Sequence, residues 1–169
     1  MGTLWRVLWA GGMWDVTVDS SGRQYVDVPT ALQEHLRITF VSEDQARYGV
    51  DCFRVQIGDA TGQLREGLEF PVAKFAHVVQ AMMLTWMARG MGSKQFIDVP
   101  TASQEHVRTS FVAADHSRYC VDCFCIQIRD AAGQLQQALE SPIETMEPLV
   151  EAMMMMILEH ATGPPVGEC

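Results

Sequence analysis

The stretch Gln24-Tyr25-Val26-Asp27-Val28-Pro29-Thr30-Ala31 returns later in the chain as Gln95-Phe96-Ile97-Asp98-Val99-Pro100-Thr101-Ala102, and the register then continues without a gap. Gln33-Glu34-His35 reappears as Gln104-Glu105-His106, and Arg47-Tyr48 as Arg118-Tyr119. Val50-Asp51-Cys52-Phe53 reappears as Val121-Asp122-Cys123-Phe124, Gly62-Gln63-Leu64 as Gly133-Gln134-Leu135, and Ala81-Met82-Met83 as Ala152-Met153-Met154. Roughly half of the aligned positions are identical, which makes the chain a tandem duplication of one supersecondary unit. Its parts are an N-terminal segment 1-23, repeat one 24-94, repeat two 95-163 and a loose tail 164-169.

Inside the unit, hydrophobic periodicity changes once. Gln24 to Val28 reads as a short strand. Leu36, Ile38 and Phe40 alternate with polar neighbours, as do Phe53, Val55 and Ile57, the period of two of a half-buried strand. Asp59-Ala60-Thr61-Gly62 supplies turn residues, and Leu68 to Val72 reads as the last strand. From Pro71 onward, Val72, Phe75, Val78, Val79, Met82, Met83 and Trp86 recur at helical steps, with Gly90 as the stop. Repeat two carries the same stripe, and Pro148 near its start predicts a helix that begins late or bends. Trp14 to Asp19, followed by Ser20-Ser21-Gly22, reads as an extra hairpin strand ahead of repeat one. The expected fold class is therefore α+β: two tandem repeats, each about four antiparallel strands followed by one helix. One sheet with one helix leaves too much apolar surface exposed, so the repeats should pack as a single pseudo-twofold domain.

At 169 residues, with 48% apolar and 20% charged residues, the chain can bury a core but cannot hold two independent enzyme domains. Its net charge of -9 argues against strong non-specific attraction to nucleic acid or anionic membranes, so a nucleic-acid role needs a local basic patch. Five cysteines without a secretory signal fit a reducing, intracellular compartment. The apolar run Leu4 to Trp14 is about half the roughly 20 residues a membrane-spanning helix needs, so no membrane insertion is expected.

Arg23-Gln24-Tyr25-Val26-Asp27-Val28, His35-Leu36-Arg37-Ile38-Thr39-Phe40-Val41, and Leu68-Glu69-Phe70-Pro71-Val72 running into a helix together resemble the PUR repeat of Pur-alpha-like proteins. Whirly proteins and the transcriptional positive-cofactor family share that strand-helix plan. The resemblance covers most of Trp14 to His160, and it implies a non-enzymatic binder of single-stranded DNA or RNA on a curved sheet face. On that reading, Arg37 and Arg54, with Arg65 and Lys74 nearby, are the candidate phosphate contacts. Tyr25 and Tyr48 are the candidate base-stacking residues. Arg37 and Arg54 share the polar sheet face by parity. Ser42 to Glu66 is longer than the family's equivalent, and basic residues are sparse. Repeat one has seven basic and eight acidic residues, repeat two three and ten; Cys125, Gln136 and Thr145 replace Arg54, Arg65 and Lys74. The alternative is that these arginines pair with Asp and Glu, and that the protein is a structural or adaptor subunit of a larger assembly.

For that alternative, the candidate partner-interface residues are Met87, Met91, Met155, Met156, Trp5 and Trp9. Four consecutive helical methionines, Met153 to Met156, span the whole helix circumference, so some must leave the core. The tryptophans fit a partner anchor and a segment covering the sheet edge equally well. A homodimer with exchanged helices also stays open. His116 with Cys120, Cys123 and Cys125 is a permissible zinc set in composition, but two of the thiols share one strand face and no metal is expected. No phosphate loop, nucleophile elbow or zinc-protease helix occurs, and Glu34-His35 with Glu105-His106 reads as duplicated fold core. No catalytic residue and no cofactor is assigned.

Overall fold

Each alternating run becomes a strand in the computed structural model, which describes residues 4–9, 12–30, 33–88, 96–101 and 104–162. Repeat one comprises β3 (Gln24–Pro29), β4 (His35–Val41), β5 (Cys52–Gly58), β6 (Leu64–Pro71) and helix α1 (Phe75–Met87). Repeat two comprises β7 (Phe96–Pro100), β8 (His106–Val112), β9 (Cys123–Arg129), β10 (Leu135–Pro142) and helix α2 (Met146–Thr162). Ahead of both lie β1 (Leu4–Trp9) and β2 (Gly12–Val18). All pairing is antiparallel, in a sheet ordered β1-β2-β3-β4-β5-β6 and a second ordered β10-β9-β8-β7.

Three boundaries differ from the sequence expectation. The last strand of repeat one begins at Leu64 rather than Leu68, because the Asp59-to-Gly62 turn closes a tight hairpin directly into it. The Asp59 carboxylate accepts the N–H groups of Thr61 and Gln63, and Gly62 sits at φ 86, where a side chain would be strained. Leu4–Trp9 is a strand in its own right, paired with β2 along its whole length, whereas β2 meets β3 only at Thr17↔Tyr25 and Val18↔Gln24. Pro148 does not delay α2. It is the third residue of the helix, where a backbone N–H has no partner inside the helix, and a short 3-10 turn, Ile143–Thr145, leads in.

The sheets bury one face each. Val26, Val28, Leu36, Ile38, Phe53, Val55, Leu68 and Phe70 form that face in the first sheet, each at most 1% exposed. Phe53 is its centre, ringed by Phe40, Phe70 and Phe75 at centroid distances of 6.2, 6.1 and 6.0 Å. Burying such a side chain contributes about 3 kcal/mol. The helices cross over: α2 packs on β3 and β4 of repeat one, and α1 on β7 and β8 of repeat two. Trp86 near the end of α1 meets Phe111 of β8 at 5.7 Å. Edge strands β6 and β10 meet between the sheets, where the Glu69 N–H donates to Gln137 Oε1 at 3.0 Å. Among the described residues no helix is long and apolar enough to cross a membrane.

Candidate functional site

Strand parity does put Arg37 and Arg54 on one polar sheet face, but register also puts an acid opposite each. Asp27 faces Arg37 across β3 and β4, and binds it bidentately at 2.8 and 3.0 Å. The same guanidinium lies 3.9 Å above the Tyr25 ring. Glu69 faces Arg54 across β5 and β6, accepts both Nε and an Nη at 3.1 and 2.9 Å, and is only 4% exposed. A charge-assisted pair of this kind satisfies the donors that a phosphate would otherwise use.

Arg65 and Lys74 do not complete a patch. Arg65 stands near the start of β6 and is ion-paired to Glu34; Lys74 lies in the 3-10 turn past the far end of that strand. Strand rise separates the two by roughly 20 Å or more. Tyr48 is not a free stacking ring either. Arg47 covers its face at 4.7 Å, and its hydroxyl is buried. Burial, and then the Glu105 carboxylate beside it, push the Tyr48 phenol far above its ordinary value.

What the sequence reading missed is where Tyr48 leads. Glu34, on the turn between β3 and β4, accepts the Tyr119 hydroxyl at 2.9 Å and an Arg118 Nη at 3.2 Å, besides Arg65. Glu105, at the same turn of repeat two, accepts an Arg47 Nη at 2.8 Å. Each repeat thus extends an arginine to the other's glutamate, and in repeat two the neighbouring tyrosine, Tyr119, adds a hydrogen bond that the Tyr48 hydroxyl does not make. Two features hold the glutamates in place: Gln33 and Gln104 take left-handed backbone at φ 59 and 62, and Thr30 and Thr101 donate to the Glu34 and Glu105 carbonyls. The signal was present in the unbroken recurrence of Gln-Glu-His and Arg-Tyr. Neither glutamate forms an acid-base dyad with its neighbouring histidine, since His35 and His106 turn toward Asp27 and Asp98, each at 3.8 Å.

On repeat two, Arg108 repeats the arrangement of Arg37, bound to Asp98 at 2.8 and 3.1 Å and 3.7 Å above the Phe96 ring. Hydrogen bonding to Arg108 holds the Asp98 carboxyl below its ordinary value. Cys125 occupies the place of Arg54, and burial pushes its thiol up to about 11. Cys52 is raised to about 12 for the same reason, so neither thiol has thiolate character near neutral pH. Among the described residues no three metal-ligating side chains converge; His116 pairs with Asp115 at 3.7 Å on open surface.

Neither any protein-family model nor any curated protein sequence matches this chain.

The helix surface differs in kind from the sheet faces. Met83, Leu84 and Met87 of α1 are 54, 47 and 69% exposed, and Met154 of α2 is 42% exposed. With Phe75, Val79 and Val150 they line an apolar groove of about 380 Å³. Of the interface candidates, Met87 is exposed. Met155 and Met156 are not: both are 1% exposed and belong to the core. The reason is that α2 is covered around most of its circumference, so of the four methionines only Met154 reaches the surface. Met91 and the side chains of Trp5 and Trp9 lie outside the described residues.

Proposed function

We propose that this protein is a non-enzymatic adaptor or structural subunit that docks an amphipathic helix of a partner protein in the groove between α1 and α2. The observation that carries this reading is the row of exposed Met83, Leu84 and Met87 facing Met154, a deformable apolar surface of the kind that accepts helices. Charge specifies the partner's other face. The chain carries -9, and α2 together with its 3-10 lead-in contributes Glu144, Glu147 and Glu151, so a helix with basic flanks is the complementary occupant.

A second reading, single-stranded nucleic acid on the sheet faces, is favoured by one feature. Tyr25 with Arg37 and Phe96 with Arg108 are stacked aromatic-guanidinium pairs on equivalent strands, and such pairs accept bases. Against it stands the occupation of Arg37, Arg54, Arg65 and Arg108 by the protein's own carboxylates.

One titration separates the two. A fluorescein-labelled amphipathic Leu/Lys helix and labelled single-stranded DNA and RNA are titrated with the protein, following anisotropy at low and physiological salt. Saturable peptide binding, weakened at least tenfold by Met83→Ser with Met87→Ser, is the expected result. No peptide binding, together with salt-sensitive nucleic-acid binding lost in Arg37→Ala/Arg54→Ala, overturns the adaptor reading in favour of the second.

A further inference from the structure

The two repeats finish their sheets differently at equivalent strands. The outer edge of β3 is paired by β2, and Tyr25 opposite Thr17 is half-buried. β7, the counterpart of β3, is the terminal strand of its sheet; among the described residues no strand pairs its outer edge. Phe96, standing where repeat one has Tyr25, is 49% exposed.

The backbone of that edge can be read from one bond. The Thr101 N–H donates to the Glu105 carbonyl, so Thr101 faces β8. Alternation then turns Val99 and Ile97 toward β8, and Pro100, Asp98 and Phe96 outward. Phe96 and Asp98 each present an N–H and a C=O, and Pro100 presents a C=O alone. Unpaired groups in a row are a template for another strand.

We propose that β7 is a strand-addition edge whose occupant is β7 of a second copy of this chain, antiparallel across a twofold axis centred on Asp98. The outward groups complement themselves in that register. Each Asp98 N–H donates to the other Asp98 carbonyl, and each Phe96 N–H donates to the other copy's Pro100 carbonyl. The proline therefore removes only the single donor at either end. Side chains agree: exposed Phe96 lies opposite the other copy's Pro100, and each Asp98 carboxylate is already neutralised by a bidentate Arg108, so the two acids meet as ion pairs. The contact closes after two copies and joins two four-stranded sheets into one of eight. β1, the terminal strand of the other sheet, would add to β7 as a heterologous contact, which strings copies into an open series or a ring rather than a β7–β7 pair.

The test is sedimentation velocity of the full chain across a concentration series, combined with amide hydrogen exchange. The mass should double, and the Phe96 and Asp98 amides should exchange about tenfold more slowly in the dimer than at monomer concentrations. The Ile97 and Val99 amides, bonded to β8, should be protected in both states. Phe96→Pro removes one outward N–H and leaves the β8 side intact, so it should weaken the dimer about tenfold or more. A monomer at every concentration overturns the proposal, as does a dimer in which the Phe96 and Asp98 amides exchange freely, or an open series of larger species. Should Phe96→Pro fail to fold, the wild-type amide pattern decides alone. A dimer closed through the helix groove would leave those amides open, which keeps this test distinct from that of the partner-docking groove.

Discussion

Repeats one and two agree at the segments that hold each other and disagree on the strands beside them, in the core as well as on the surface. The recurring Gln-Glu-His and Arg-Tyr segments make the reciprocal contacts of Glu34 with Tyr119 and Arg118, and of Glu105 with Arg47. Among the changed positions, Arg54 to Cys125, Gly67 to Ala138 and Phe70 to Ser141 lie on β5, β6, β9 and β10, and Arg65 to Gln136 leaves repeat two without the counterpart of the second arginine on Glu34. An internal twofold thus keeps the segments that reach across it, while the strands around them diverge.

Four measurements break or sharpen that comparison, each read as a change in the free energy of urea unfolding. The largest effect belongs to the core. Phe53→Ala should cost about 4 kcal/mol and Phe124→Ala about 3, because Ser141 and Met146 stand where Phe53 has the rings of Phe70 and Phe75. Equal losses would mean the aromatic cluster adds nothing beyond volume. Next comes Gly67→Ala. A Cβ there would lie 1.9 Å from the Val55 carbonyl oxygen, so a loss of about 3 kcal/mol is expected, against less than about 1 for Ala138→Gly at the equivalent place. A tolerated Gly67→Ala would show that β5 and β6 approach no more closely than β9 and β10.

Glu34→Ala should cost about 2 kcal/mol, since it strands the Tyr119 hydroxyl and releases two half-exposed arginines. Glu105→Ala, with one arginine, should cost about 1. The reverse order would place the weight of the inter-repeat brace on the other side. The smallest effect is on acid stability. The folded Asp98 carboxyl lies below its unfolded value, so its contribution is complete above about pH 4 and disappears as pH falls through the folded value. Asp98→Asn should therefore shallow the acid limb of a stability-pH curve and change little at pH 7. An unchanged acid limb would show that Arg108 does not select the ionised form.

Local pattern made the architecture legible. Alternation at Leu36, Ile38 and Phe40 and helical spacing from Phe75 to Trp86 depend on near neighbours, and the strands and helices follow them. The polar sites were less legible because they depend on pairs far apart in the chain. Parity placed Arg37 and Arg54 on one face correctly, yet only strand register shows that Asp27 and Glu69 already hold them. Glu34 and Tyr119 are 85 positions apart. Met155 and Met156 were misplaced because periodicity reports which residues share a helix face, not how many faces are covered.

The crossing of the helices has a consequence during synthesis. The apolar face of β3 and β4 is covered by α2, which begins about 75 residues after β6 ends. At roughly 5–20 residues per second, the ribosome needs several seconds to deliver that cover. Throughout that interval Val26, Val28, Leu36 and Ile38 belong to a nascent sheet without its lid, a surface open to chaperones until α2 arrives.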